Sequence, residues 1–119
     1  MRLMIVDDSM MVRKALEKYM GQMNMEIVGT ASNGKQAVQL FTELKPDVVT
    51  LDITMPEMDG LSALKEMLKI KADAKVIIIS ALNSKDMMVQ AINEGALGYV
   101  VKPFTPEKLK AQLDKITGV

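Results

Sequence analysis

The chain has 119 residues, 49% of them apolar and 25% charged, and its 15 basic and 15 acidic side chains cancel. It contains no cysteine and no histidine, which excludes disulfide scaffolds, thiolate metal sites, imidazole general bases, Ser-His triads and the usual zinc chemistry. A balanced charge without acidic or basic blocks gives no electrostatic case for direct binding of nucleic acid or an anionic membrane.

The first apolar run, Leu3 to Val6, stops at Asp7 and Asp8. It is too short for a signal h-region or a membrane span and reads as a strand. Ser9 can cap the helix that follows, whose stripe is Val12, Leu16, Tyr19 and Met20 and whose end is expected at Gly21. Ile27 and Val28, flanked by Glu26 and Gly29, predict a short edge strand. Asn33-Gly34 leads into a helix striped by Ala37, Val38, Phe41 and Leu44, and Val48 to Leu51 is a third strand. Asp59-Gly60 introduces a helix striped by Leu61, Leu64, Met67 and Leu68, followed by a fourth strand, Val76 to Ile79. Ser84 can cap a helix striped by Met88, Ala91 and Ile92 and ending at Gly95. Tyr99 to Val101 is the fifth strand, and Leu109, Leu113 and Ile116 stripe the last helix.

Three of these runs are nearly continuous in Val, Ile, Leu and Met, as strands buried on both faces are. Strand alternating with helix five times predicts an α/β fold with right-handed crossovers and a parallel sheet covered by helices on both faces. No linker, repeat or low-complexity segment interrupts it, so one (βα)₅ domain is expected over residues 1–119. The twelve methionines are read as core and helix-face fillers in place of Leu and Phe. A soluble cytoplasmic protein is the simplest expectation.

Ligands of open α/β sheets bind beyond the carboxyl ends of the strands. Asp7 and Asp8 follow the first strand, Asp52 the third, Ser80 the fourth and Lys102 the fifth. Each alone has an ordinary reading as a loop residue, a cap or a surface lysine. Together they put complementary groups from separate loops on one edge. Clustered carboxylates repel unless a cation joins them. An all-oxygen set with room for water suits Mg²⁺, and a hard cation beside a carboxylate nucleophile suits phosphoryl transfer. Lys102 then offers a point charge, and Ser80 a hydroxyl, to phosphoryl oxygens. Neither G-x-x-x-x-G-K-S/T nor G-x-G-x-x-G occurs, so a nucleotide is not an expected ligand.

The segments Ile5-Val6-Asp7-Asp8-Ser9, Pro46-Asp47-Val48-Val49, Leu51-Asp52-Ile53-Thr54-Met55-Pro56-Glu57-Met58-Asp59-Gly60, Ser80-Ala81, Gly95-Ala96 and Lys102-Pro103-Phe104 resemble, in order and spacing, the receiver domain of bacterial response regulators, the CheY-like superfamily. The resemblance covers essentially the whole chain. It implies a flavodoxin-like sheet of strand order 2-1-3-4-5 and an aspartyl phosphate on Asp52, formed with a partner histidine kinase as donor. Asp8, Asp52 and the main-chain carbonyl of Thr54 would ligate Mg²⁺, with Asp7 acting mainly through water. By the same resemblance Lys102 contacts the phosphoryl group, Ser80 is the switch hydroxyl, Tyr99 is the aromatic residue whose rotamer follows activation, and Lys102-Pro103 is cis.

Phosphorylation adds roughly −1.5 to −2 charge and three strong acceptors. On this reading Ser80 is drawn toward them, Tyr99 turns into the vacated space, and the face of the fourth helix, fifth strand and fifth helix changes for partner binding. Thr54 and Leu82 hold the two positions that tune hydrolysis in the family. Leu82 cannot orient an attacking water, so a relatively long-lived phosphoryl group is expected.

A monomeric single-domain chemotaxis regulator is the nearest type, because no output domain follows Val119. Its expected partners are the kinase, a downstream target such as a flagellar motor switch protein, and a phosphatase. A phosphorelay intermediate and a receiver from a larger regulator, such as a chemotaxis methylesterase, are the alternatives within the family. The chain is expected to be a switch with only self-catalysed phosphoryl transfer and autodephosphorylation. An aspartyl-nucleophile phosphohydrolase would need a second acid where Thr54 stands. A pseudo-receiver is disfavoured by the intact Asp7, Asp8, Asp52, Ser80 and Lys102.

Overall fold

The computed structural model describes residues 1–118. Its elements are β1 (Arg2–Val6), α1 (Met10–Gln22), β2 (Glu26–Ala31), α2 (Gly34–Leu44), β3 (Val48–Leu51), α3 (Gly60–Ile70), β4 (Lys75–Ser80), α4 (Lys85–Asn93), β5 (Gly98–Val101) and α5 (Pro106–Thr117). The five strands form one parallel sheet in the order β2-β1-β3-β4-β5, as the resemblance implied. No helix among the described residues is long and apolar enough to cross a membrane.

Successive strand residues point to opposite faces, so each continuous apolar run feeds two cores at once. Met4, Val6, Val49, Leu51, Val76 and Ile78 pack with Phe41 of α2, Leu64 and Met67 of α3 and Ala91 of α4. On the other face Leu3, Ile5, Val48, Ile77, Ile79 and Val100 pack with Leu16 and Met20 of α1 and Leu109 and Leu113 of α5. Leu3 through Val6 are at most 1% exposed, which accounts for a first strand with no polar alternation.

The expected caps at Ser9 and Ser84 accept the amide hydrogen bond of an N-cap, and so do Asn33 and Asp59 in the two pairs expected to lead into helices. Thr105 caps α5 in the same way, with Pro106 at the start of the helix. Three expectations need correction. α1 runs through Gly21 to Gln22, and the chain turns instead at Asn24, whose φ is 62°. Asn tolerates the left-handed conformation, so it performs the reversal that Gly21 was expected to make. β2 lies at the sheet edge as predicted but spans Glu26–Ala31, because a strand with one neighbour carries Gly29 and Thr30 without a fully apolar run. Ile92 is 48% exposed beside Val89, while Met87 and Ala91 hold the inner side of α4. Gly95 does end α4 as expected, at φ 112°, and Lys102-Pro103 is cis.

Candidate functional site

The parallel register ends Val6 level with Leu51, and Ser80 level with Val101. Asp7, Asp52 and Lys102 therefore leave the sheet at the same edge. Main-chain hydrogen bonds carry the alignment one residue further: Asp52 N donates to Val6 O at 3.0 Å, Asp7 N to Ala31 O at 3.1 Å and Lys102 N to Ser80 O at 2.8 Å. Carboxylate oxygens of Asp7, Asp8 and Asp52 come within 4.8 Å of one another. Asp7 and Asp52 are 1% and 5% exposed, and Asp8 faces solvent.

Lys102 Nζ sits between the two buried carboxylates, 2.7 Å from Asp7 Oδ2 and 3.3 Å from Asp52 Oδ2. The other oxygen of Asp7 accepts from the Ser9 amide at 2.9 Å, and Asp52 Oδ1 accepts from the Thr54 amide at 3.4 Å. Gly60 lets α3 begin against the main chain of this site: a Cβ there would lie 2.1 Å from the Asp52 carbonyl oxygen. Only a residue without a side chain permits that approach.

Three carboxylates face one ammonium. Burial pushes the Asp52 carboxyl above its ordinary value, and the Asp7 charge adds to this, while Lys102 and the Thr54 amide oppose it. Burial works to lower Lys102, yet its bond to Asp7 and the charges of Asp52 and Asp7 leave it raised. The residual negative charge, the all-oxygen donors and an exposed Asp8 that leaves room for water all fit a hard divalent cation such as Mg²⁺.

Ser80 and Tyr99 form a second network beside the first. Ser80 is 1% exposed, and its Oγ accepts from the Leu82 amide at 3.2 Å. Tyr99 donates its hydroxyl to the Leu82 carbonyl at 2.6 Å. Burial raises the Tyr99 phenol above its usual value, the charge of Asp52 adds to this, and the Ser80 hydroxyl opposes both. Leu82 thus touches both Ser80 and Tyr99 through its main chain, and the residue is 38% exposed.

Asp7, Asp8, Asp52 and Lys102 meet in one cluster, with Thr54 attached through its amide and Ser80 through its carbonyl. Sequence reading missed Arg13, whose Nη1 donates to the Asp7 carbonyl at 2.7 Å. A basic residue four positions after the N-cap was the available signal.

A profile of the response regulator receiver domain matches residues 3–114. The chemotaxis protein CheY of Thermotoga maritima is 44% identical over 116 residues, covering 98% of this chain and 97% of that one. A protein-glutamate methylesterase/protein-glutamine glutaminase of Archaeoglobus fulgidus is 44% identical over 105 residues, 87% of this chain but 30% of that protein. Among solved structures, the CheX-CheY-BeF3-Mg complex of Borrelia burgdorferi aligns at TM-score 0.95 and 33% identity, covering 98% of this chain and 88% of the matched one.

Proposed function

The chain belongs to the response regulator receiver domain family, and from that premise we propose that Asp52 accepts a phosphoryl group from a phosphohistidine on a partner kinase. The observation that carries the reading is the meeting of Asp7, Asp8 and Asp52 around Lys102 at one sheet edge. Members of this family are phosphoacceptor switches of two-component signalling rather than turnover enzymes.

An Asp52 carboxylate oxygen would attack phosphorus as the P–N bond to the donor imidazole breaks. The electron pair and a proton would end on that imidazole. Asp8, Asp52 and the Thr54 carbonyl would hold Mg²⁺, with Asp7 acting through water, and the ion would offset charge on the phosphoryl oxygens. Lys102 already lies against Asp52, from where a short swing of its ammonium reaches a phosphoryl oxygen. Ser80 Oγ accepts from the Leu82 amide, and its own proton would turn to another phosphoryl oxygen.

That donation would pull on Leu82, and through its carbonyl on Tyr99. α4, β5 and α5 form the output face on this reading, and Val89, Ile92 and Leu97, all 48–49% exposed, supply its apolar contacts. The 44% identity to a chemotaxis protein supports a role in chemotaxis; on this reading the chain would act in the cytoplasm as a monomer, with a flagellar motor switch protein as target and a phosphatase to reset it. A receiver within a methylesterase-type regulator is the second reading, favoured by equal identity to the Archaeoglobus protein.

Incubation with a small acyl phosphate, with and without Mg²⁺, followed by intact mass, tests the proposal. The expected result is a gain of one phosphoryl group that requires the metal and disappears in Asp52→Asn. An unmodified parent under all donor and metal concentrations would refute it.

A further inference from the structure

We infer that Arg13 is a positioning residue for the acidic site, acting by fixing the peptide plane between Asp7 and Asp8. The inference rests on the Mg²⁺-binding reading above and goes beyond it by assigning a role to a residue outside the cluster.

Asp7 is held at each of its polar groups. Its amide donates to Ala31, and its carboxylate oxygens accept from Ser9 and Lys102. Its carbonyl lies past the last ladder bond of β1, where no strand partner remains. Arg13, in the first turns of α1, reaches back and supplies that bond at 2.7 Å. A peptide unit is planar, so fixing one carbonyl also fixes the amide and Cα of the next residue. That next residue is Asp8. Its own carboxylate makes no hydrogen bond or ion pair among the described residues. Its direction is therefore set by the peptide plane before it and by Ser9, the cap of α1, after it.

Two effects of Arg13 on a bound cation oppose each other. Its charge repels a divalent ion nearby, and its hydrogen bond presets a ligand. Geometry wins if the guanidinium chiefly orients, because the charge is partly exposed and screened while the peptide plane is directly connected to Asp8. Groups that orient metal ligands from behind typically change affinity by roughly 10-fold or more.

The test titrates Mg²⁺ into the full chain by calorimetry for the parent, Arg13→Met and Arg13→Lys, with urea unfolding run alongside. Arg13→Met should weaken Mg²⁺ binding by roughly 10-fold, and Arg13→Lys, which retains a charged donor, should recover most of it. In Arg13→Met the Asp8 amide should also show new exchange broadening in metal-free NMR spectra. If Arg13→Met does not fold, Arg13→Ala, a stronger helix former, replaces it. Mg²⁺ binding as tight as the parent's, or tighter, in the folded neutral variant would overturn the inference and leave Arg13 as a charge alone. A parent that takes up no Mg²⁺ would instead overturn the functional reading on which it stands.

Discussion

At Asp52 the raised carboxyl has a sign that stability measurements can read. Its folded value lies above its unfolded value, so the folded state holds the proton more tightly. Stability attributable to this group is therefore greatest below the unfolded value near 3.8 and falls as pH rises through the folded one. Asp52→Asn removes that titration. The variant should match the parent in acid and be the more stable of the two at neutral pH in urea unfolding without divalent ions. Equal profiles at both pH values would contradict the burial argument. Leu82 gives a second test at this scale. Its exposed side chain offers no base, so Leu82→Glu should hasten loss of the phosphoryl group severalfold, short of the ~10²-fold of a well-placed general base. Slower decay in the variant would count against the assignment.

Among the elements, α4 has the least holding it. Ala91 is its one buried residue among the nine of Lys85–Asn93, whereas α2 and α3 each bury three or more. Its cross-link to α3, Lys65 to Glu94 at 3.5 Å, joins side chains that are 54% and 30% exposed, a pairing worth little in water. Local opening follows sparse apolar anchoring. Amide hydrogen exchange in α4 should therefore be the fastest of the five helices, and should become slower when Asp52 is modified. Protection in α4 equal to that of α3 would remove the physical basis for an output face there. α3 shows the opposite case, since Gly60 seats its first turn on the Asp52 carbonyl and leaves little freedom to shift.

For the molecule as a whole, a cation that binds only the folded chain stabilises it by mass action. Mg²⁺ at ten times its dissociation constant should add about 1.4 kcal/mol, a rise of a few degrees in Tm by calorimetry, and Asp52→Asn should lose most of it. An unchanged Tm would argue against a folded-state metal site. Much of this architecture was legible in the chain itself. The runs Leu3 to Val6, Val48 to Leu51 and Val76 to Ile79, alternating with striped helices and capped by Ser9, Asn33, Asp59 and Ser84, determined the element order and the sheet edge that bears Asp7, Asp52 and Lys102. Periodicity marks which side chains are apolar, and alternation of strand and helix predicts a parallel sheet, so these needed no coordinates, whereas the strand order came from the family resemblance. Periodicity cannot say which side of a short helix is covered, and it gave Ile92 the wrong side. Nor can it foresee hydrogen bonds whose partners meet only after folding. The Lys102 ammonium between two buried carboxylates, the Leu82 main chain joining Ser80 to Tyr99, and Arg13 on the Asp7 carbonyl were decided by tertiary structure. Each depends on distances of a few ångströms between loops, which the packing of helices on the sheet sets.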